Sequence, residues 1–167
     1  SNKSVQELYE PGSTFKVMTS AVALEENITS PNVGGEFVCT GYEHVGDREI
    51  ACWRSYNPHG YQSLTEALGN SCNPAFMQLG KRIGAPTLYK YYKAFGLFEK
   101  TGVSLYGEEI SLFTPLDKVG PVELATMSFG QRLNITPLHM ATAICAIAND
   151  GYLMQPRLVK TSTNTDT

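Results

Sequence analysis

Residues 9–16, YEPGSTFK, place a serine and a lysine three positions apart at the predicted start of a helix. Ser13 follows a Pro-Gly pair, and Lys16 comes just before the mostly apolar run VMTSAVAL. The apolar residues of this stretch surround the helix axis, which predicts a helix from Ser13 to about Glu26 that is buried on most sides. Because residues i and i+3 share one face of a helix, we expect the Ser13 and Lys16 side chains to be in contact.

This contact matters because a serine hydroxyl is a weak nucleophile at neutral pH unless a base takes its proton. A lysine can be that base only when its pKa is lowered, and the apolar residues around Lys16 predict the burial that lowers it. Free amides at a helix N-terminus also favour negative charge on the serine oxygen or on an oxyanion beside it. In the alternative interpretation, Ser13 is a helix cap and Lys16 is a solvated surface group.

The stretch resembles the active-site serine motif, SxxK, of penicillin-binding proteins, which cross-link peptidoglycan by acyl transfer and are acylated by β-lactams. The second motif of that family, SxN, is matched by Ser71, Cys72 and Asn73. Residues 98–109 and 128–156 are similar to later segments of the family, so the resemblance runs from residue 8 to about 160. It favours the class B, monofunctional branch, and the CTG, ACW and SCN triplets are similar to the sporulation-type proteins.

The resemblance implies a role for each matched residue. Ser13 is expected to attack the D-Ala-D-Ala carbonyl, and Lys16 to accept its proton. Ser71 would relay a proton to the leaving amine, and the Asn73 amide would hold the substrate backbone. Read without the resemblance, Ser71 is a plain loop residue, and Asn73 is a helix N-cap before Pro74.

The resemblance also implies partners and a location. The expected ligands are peptidoglycan stem peptides and β-lactam antibiotics, with no cofactor, no metal and no nucleic acid. The family acts at the extracytoplasmic face of the cell membrane, so membrane attachment would come from an N-terminal anchor outside this chain. A cell-wall synthesis complex is a further expected partner.

The third motif of the family, a KTG on a strand beside the cleft, is expected beyond residue 167. Lys100, Thr101 and Gly102 spell KTG too early in the chain, and we interpret them as a loop. The expected fold is therefore a partial penicillin-binding protein and serine β-lactamase-like fold, mostly α with a few short strands. Residues 1–160 form the partial transpeptidase domain, and residues 161–167 form a polar tail that frays. A piece lacking the third motif is expected to be a poor catalyst.

Four other functions remain open from the sequence. A serine β-lactamase or a D,D-carboxypeptidase shares the first two motifs but transfers the acyl group to water. A β-lactam-sensing receptor domain would need a membrane-spanning relay. A noncatalytic piece would serve only binding or assembly.

Composition limits the classes of partner. The chain has 167 residues, of which 42% are hydrophobic and 17% charged, with a net charge of −3. This hydrophobic content is enough for one buried core and excludes a disordered chain. Scattered basic residues give no stripe for nucleic acid and no cluster for an anionic membrane, and no apolar run approaches the roughly 20 residues of a membrane helix.

The cysteine and histidine spacings do not predict a metal site. None of the cysteine spacings is a CxxC, and the histidines at positions 44, 59 and 139 are dispersed. Residues 37–40 and 48–53 are predicted as the two strands of a hairpin, separated by the polar turn GYEHVGD at 41–47. A disulfide between Cys39 and Cys52 on these facing strands, or between Cys52 and Cys72, is as well supported as free thiols. Cys145 lies in the apolar run ATAICAIA and is expected to pack in the core.

Capping and stop signals predict the remaining helices. Ser63 and Glu66 form a capping box for a short helix that ends near Gly69. Further helices are expected after the Pro residues at positions 74, 86, 121 and 137, and they end near the Gly residues at 84, 96, 130 and 151. Strands are expected to begin at residues 152–154 and 157–160, where Pro156 confines them to an edge or a break.

Overall fold

Two helices that follow the serine motifs form the centre of the fold. A computed structural model describes residues 2–160, so the predicted tail at 161–167 lies outside the described residues. The described helices are α1 (Lys3–Gln6), α2 (Lys16–Glu25), α3 (Leu64–Gly69), α4 (Asn73–Ile83), α5 (Ala85–Ala94), α6 (Pro121–Met127) and α7 (Pro137–Ala148), with 3-10 turns at Gly12–Phe15 and Leu116–Lys118. The SxxK motif leads into α2, and α4 begins inside the SxN motif. Helix α2 packs against α3, α4, α5 and α7, and α4 packs against α5 and α6.

Most of the predicted helices are confirmed, because their caps are local signals. Ser63 and Glu66 form the reciprocal capping box of α3. The Thr136 side chain accepts a hydrogen bond from the His139 amide and caps α7. Gly84 ends α4 with a φ of 82°. Helix α1 was not predicted.

The starts of the two central helices differ from the prediction. Ser13 lies in the 3-10 turn, and the α-helix begins only at Lys16. Cys72, not Asn73, is the N-cap residue of α4, and it makes no side-chain capping bond. The Asn73 side chain is therefore available for a tertiary contact.

The strands form two small antiparallel pairs. β1 (Phe37–Cys39) pairs with β4 (Gly60–Gln62), and β2 (Tyr42–Val45) pairs with β3 (Arg48–Ala51). The predicted hairpin between the Cys39 strand and the Cys52 strand is therefore wrong in its pairing, because residues 42–45, interpreted as turn, form their own strand. Residues 152–160 form no strand within the described part of the chain, so the two predicted strand beginnings there are also wrong.

The core lies between these helices and beside β1. Phe15 packs against Tyr92 of α5 with ring centroids 5.4 Å apart. Cys145 is exposed, contrary to the prediction, because Ala143 and Ala146 occupy the inner face of α7. The other buried apolar side chains at the centre include Met18, Val22, Phe76, Leu79, Leu88 and Met127.

Two further predictions concern the KTG triplet and membrane helices. Lys100, Thr101 and Gly102 lie in a loop, as predicted, where the Thr101 backbone amide donates to the Glu108 carboxylate at 2.8 Å. Among residues 2–160, no helix combines the length and apolar character that crossing a membrane requires.

Candidate active site

The turn that carries Ser13 is held by a close contact with the segment after α6. The Gly12 amide donates to the Gly130 carbonyl at 2.9 Å. A Cβ atom on Gly130 would lie 2.2 Å from the Gly12 carbonyl oxygen and 2.7 Å from the Phe15 Cβ. Gly130 also has a φ of 80°, which favours glycine. The position of Ser13 therefore depends on a glycine that the sequence predicted only as a helix stop.

The loop that carries Ser71 and Asn73 joins α3 to α4. The Ser71 amide donates to the Leu68 carbonyl at 3.0 Å, and the Cys72 amide donates to the Ala67 carbonyl at 2.9 Å. Ser71 has a φ of 49°, an uncommon value for a residue other than glycine. The Trp53 indole donates to the Asn70 carbonyl at 3.0 Å and links the loop to the strand region. The backbone thus fixes the loop on both sides of Ser71.

Lys16 lies at the point where the two motifs meet. Its side chain is buried, with 1% exposure. Its Nζ lies 3.2 Å from Ser13 Oγ, 3.0 Å from Ser71 Oγ and 2.7 Å from Asn73 Oδ1. It also lies 2.8 Å from the Ser71 carbonyl oxygen. The structure therefore brings together all four site residues that the sequence predicted, and it confirms the predicted contact between Ser13 and Lys16.

The two serine hydroxyls also contact each other. Ser71 Oγ lies 2.9 Å from Ser13 Oγ, which closes a triangle with the lysine nitrogen. A proton on any one of these three atoms can therefore reach the other two across a single hydrogen bond.

Burial sets the electrostatics of Lys16. It lowers the pKa of the Lys16 amine to about 8, because burial disfavours the charged ammonium, while the neighbouring Cys72 and Cys52 oppose the shift. The four polar atoms around Nζ belong to hydroxyl, amide and carbonyl groups, so no carboxylate of the described residues pairs with the charge. The Phe76 ring lies 5.5 Å from Nζ and adds an apolar wall. At pH 7 about one lysine in ten is then neutral, against about one in three thousand at the ordinary pKa.

The partners of Nζ suit a neutral amine. A neutral amine has two N–H donors and one lone pair, whereas an ammonium has three donors and no acceptor. The Ser71 carbonyl and Asn73 Oδ1 can only accept, and they take the two N–H bonds at 2.8 Å and 2.7 Å. The lone pair is then left to face a hydroxyl of Ser13 or Ser71. In this arrangement Lys16 can accept a proton from a serine.

A second cluster lies beside this site. The residue spacings predict no metal site, yet the structure brings His59 together with Cys39, Cys52 and Cys72. Donor atoms of these four residues lie within 4.8 Å of one another. Within residues 2–160 no disulfide is formed, so neither of the two disulfides considered from the sequence is present. The cysteine and histidine spacings in the sequence could not reveal this cluster, because its members come from four separate segments of the chain.

Comparison with known proteins places these motifs in a family. A family model described as "Penicillin binding protein transpeptidase domain" matches residues 1–167. The chain belongs to this family. The resemblance drawn from SxxK and SxN is thus confirmed, and so is the mostly helical fold class.

Relatives of the penicillin-binding transpeptidase family support the sporulation-type resemblance. The chain is 43% identical over 159 residues to stage V sporulation protein D of Bacillus subtilis, a match that covers 95% of this chain and 24% of that protein. It is 34% identical to the peptidoglycan D,D-transpeptidase PbpA of Mycolicibacterium smegmatis, covering 95% of this chain and 32% of that protein. The chain thus spans about a quarter to a third of these relatives.

Solved penicillin-binding proteins share the fold. A peptidoglycan glycosyltransferase from Burkholderia ambifaria aligns with a TM-score of 0.88 and 25% identity, covering 99% of this chain and 51% of that one. Penicillin-binding protein 3 of Mycobacterium tuberculosis, complexed with ampicillin, aligns with a TM-score of 0.85 and 31% identity, covering 95% of this chain and 34% of that one.

Proposed function

We propose that the protein containing this chain is a serine-type D,D-transpeptidase that cross-links peptidoglycan, with Ser13 as its nucleophile. The observation that carries this proposal is the contact of Lys16 Nζ with both serine hydroxyls inside a buried, carboxylate-free environment. The names of its relatives as peptidoglycan D,D-transpeptidases support the reaction class.

The first half-reaction acylates Ser13. The Lys16 lone pair takes the Ser13 hydroxyl proton as the oxygen attacks the carbonyl of the penultimate D-Ala. The C–N bond to the terminal D-Ala then breaks, and the leaving amine needs a proton. Ser71 Oγ lies 3.0 Å from Nζ and can pass that proton from Lys16 to the amine. Free D-Ala and an acyl-serine result.

The second half-reaction reverses these proton movements. The amine of another stem peptide attacks the acyl-serine, and its proton returns through Ser71 and Lys16 to Ser13. Asn73 binds the donor peptide in both steps. Since Asn73 Oδ1 accepts from Lys16 at 2.7 Å, its Nδ2 is left to donate to a substrate carbonyl.

The proposal includes the ligands and location that this chemistry requires. Stem peptides and β-lactams bind at Ser13, and the domain acts at the extracytoplasmic face of the cell membrane, where peptidoglycan is assembled. A penicillin-binding protein 3 in complex with ampicillin supports β-lactam binding in this fold. Assembly with other cell-wall synthesis proteins is part of the same proposal.

The experiment uses the full-length protein and a fluorescent penicillin. We expect a stable adduct on Ser13 in peptide mass spectrometry, no adduct in Ser13→Ala, and normal labelling in Ser4→Ala, an exposed serine control. Loss of the base in Lys16→Met should slow acylation by about a hundredfold or more. An adduct on any other residue would refute the assignment. Rapid turnover of the adduct would indicate a β-lactamase or a carboxypeptidase instead.

A further inference from the structure

The four residues of the sulfur cluster come from segments that the backbone places side by side. Cys39 ends β1 and lies opposite Gly60 in the β1–β4 register, so the preceding His59 lies next to Cys39. The Cys52 amide donates to the Gly41 carbonyl at 2.7 Å, which brings the chain after β3 back to the end of β1. Cys72 reaches the same point from the loop between α3 and α4. Tertiary structure thus assembles a donor set that no short motif encodes.

The composition of the cluster and the separations of its donor atoms suit a tetrahedral metal site. Cys52 Sγ lies 3.6 Å from His59 Nδ1. Zinc–sulfur bonds of about 2.3 Å and zinc–nitrogen bonds of about 2.0–2.1 Å put neighbouring sulfur and nitrogen ligands about 3.5–3.6 Å apart. Across the whole cluster the donor atoms are at most 4.8 Å apart. Sulfur ligands of one zinc ion lie about 3.8 Å apart, so the widest pair needs a closure of about 1.3 Å or less, whether it joins two sulfurs or a sulfur and the imidazole nitrogen.

The surroundings give the donor atoms few other roles. The three cysteines are each at most 2% exposed, and His59 is half-buried. Among the described residues, His59 Nδ1 has Cys52 Sγ as its hydrogen-bond partner and the buried His59 Nε2 has none, so no group outside the cluster binds the imidazole.

We propose that Cys39, Cys52, His59 and Cys72 bind one zinc ion, which fixes the loop carrying Ser71 and Asn73 to the strand region. A donor set of three sulfurs and one imidazole in a tetrahedral arrangement selects zinc over magnesium or calcium, which prefer oxygen. Binding releases one proton from each of the three thiols, leaves His59 neutral and involves no oxidation. The site is structural, because four protein ligands leave no open position for a substrate or a water molecule.

Zinc content tests the site independently of any transpeptidase activity. We expect one zinc per chain in the full-length protein purified under reducing conditions and without added metal. The apoprotein titrated with cobalt should show a thiolate-to-cobalt charge-transfer band and the intense visible bands of tetrahedral cobalt, saturating at one equivalent. The variants Cys39→Ser and His59→Gln should lose most of the metal, whereas Cys145→Ser and His44→Gln, which change exposed residues outside the cluster, should keep it.

Three outcomes would overturn the proposal. The first is a reduced wild-type protein that takes up neither zinc nor cobalt. This result comes from the wild type alone, so it does not depend on whether any variant folds. The second is cobalt spectra without thiolate charge transfer. The third is a cysteine-to-cysteine disulfide as the sole state of the cluster in protein prepared without oxidant.

The loop-fixing role has its own measurement. Removal of zinc should speed hydrogen exchange at the Ser71 and Cys72 amides by about tenfold or more, since the metal closes a loop that otherwise opens locally. The Thr136–His139 cap of α7, which is remote from the cluster in sequence, should exchange at an unchanged rate. Equal exchange at Ser71 and Cys72 with and without bound zinc would contradict this role.

Discussion

The pH dependence of acylation tests the assigned proton acceptor most directly. If neutral Lys16 takes the Ser13 proton, the acylation rate follows the unprotonated fraction of the amine, which rises as pH rises through its pKa of about 8. From pH 6 to pH 8 that fraction grows about 50-fold, and from pH 8 to pH 9.5 only about twofold. A lysine with its ordinary pKa would instead give about a 30-fold rise in the second interval. The position of the plateau therefore measures the effect of burying the amine.

The assay is stopped-flow acylation of the full-length protein by a reporter penicillin at sub-saturating concentration. The rate of spontaneous β-lactam hydrolysis is subtracted at each pH. The control is Lys16→Arg, whose guanidinium stays charged over this range and cannot act as the base. We expect this variant to acylate slowly and without the rise between pH 6 and pH 8. A midpoint above pH 9.5 in the wild type, or an unchanged profile in Lys16→Arg, would refute the reasoning.

Three further predictions concern stability, each measured by urea unfolding. The folded state lowers the Lys16 pKa to about 8, so above that pH the unfolded chain binds more protons than the folded one. The free energy of unfolding of the wild type should therefore rise by about 2 kcal/mol relative to that of Lys16→Met between pH 7 and pH 9.5. A difference between the two proteins that stays constant with pH would contradict this. Gly130→Ala should lower the free energy of unfolding by at least about 2 kcal/mol and abolish penicillin labelling, because the new Cβ has a positive φ and overlaps the Gly12 carbonyl. In the control Gly34→Ala, the new Cβ meets open space, and stability should change by less than about 0.5 kcal/mol. Equal effects of the two substitutions would refute the close-approach argument. Ser63→Ala should cost about 1 kcal/mol by removing the capping box of α3, and a neutral result would show that tertiary packing alone holds this helix.

The helices could be predicted because their signals are local. A capping box at residues 63–66 and a Thr-Pro start at residues 136–137 act within one turn of chain, so the structure reproduces them. The strand pairing was mispredicted because β-pairing depends on partners distant in sequence. Phe37–Cys39 pairs with Gly60–Gln62 rather than with the strand nearer in sequence, Arg48–Ala51, which pairs with Tyr42–Val45 instead.

The site was predicted in part for the same reason. Spacing alone places Ser13 near Lys16, and that contact is present at 3.2 Å. The low pKa of Lys16 could only be anticipated as a consequence of burial, since three of the four polar atoms around Nζ belong to Ser71 and Asn73, which are more than 50 positions away. Asn73 shows most clearly how far a side chain's role can be predicted from the sequence. Its position before Pro74 is typical of an N-cap, yet its side chain accepts from Lys16 and makes no capping bond.

The SxN triplet joins the two clusters of the molecule. Ser71 and Asn73 both contact Lys16, while Cys72 between them has an extended backbone, with φ −77° and ψ 107°. The Cys72 side chain lies with those of Cys39 and Cys52, whereas the side chains of its two neighbours reach Lys16. The middle position of the motif, which the pattern leaves unspecified, is therefore a residue through which the strand region can act on the reactive serines. A metal bound there would hold Ser71 and Asn73 through two adjacent peptide bonds, without contacting Ser13 or its substrate.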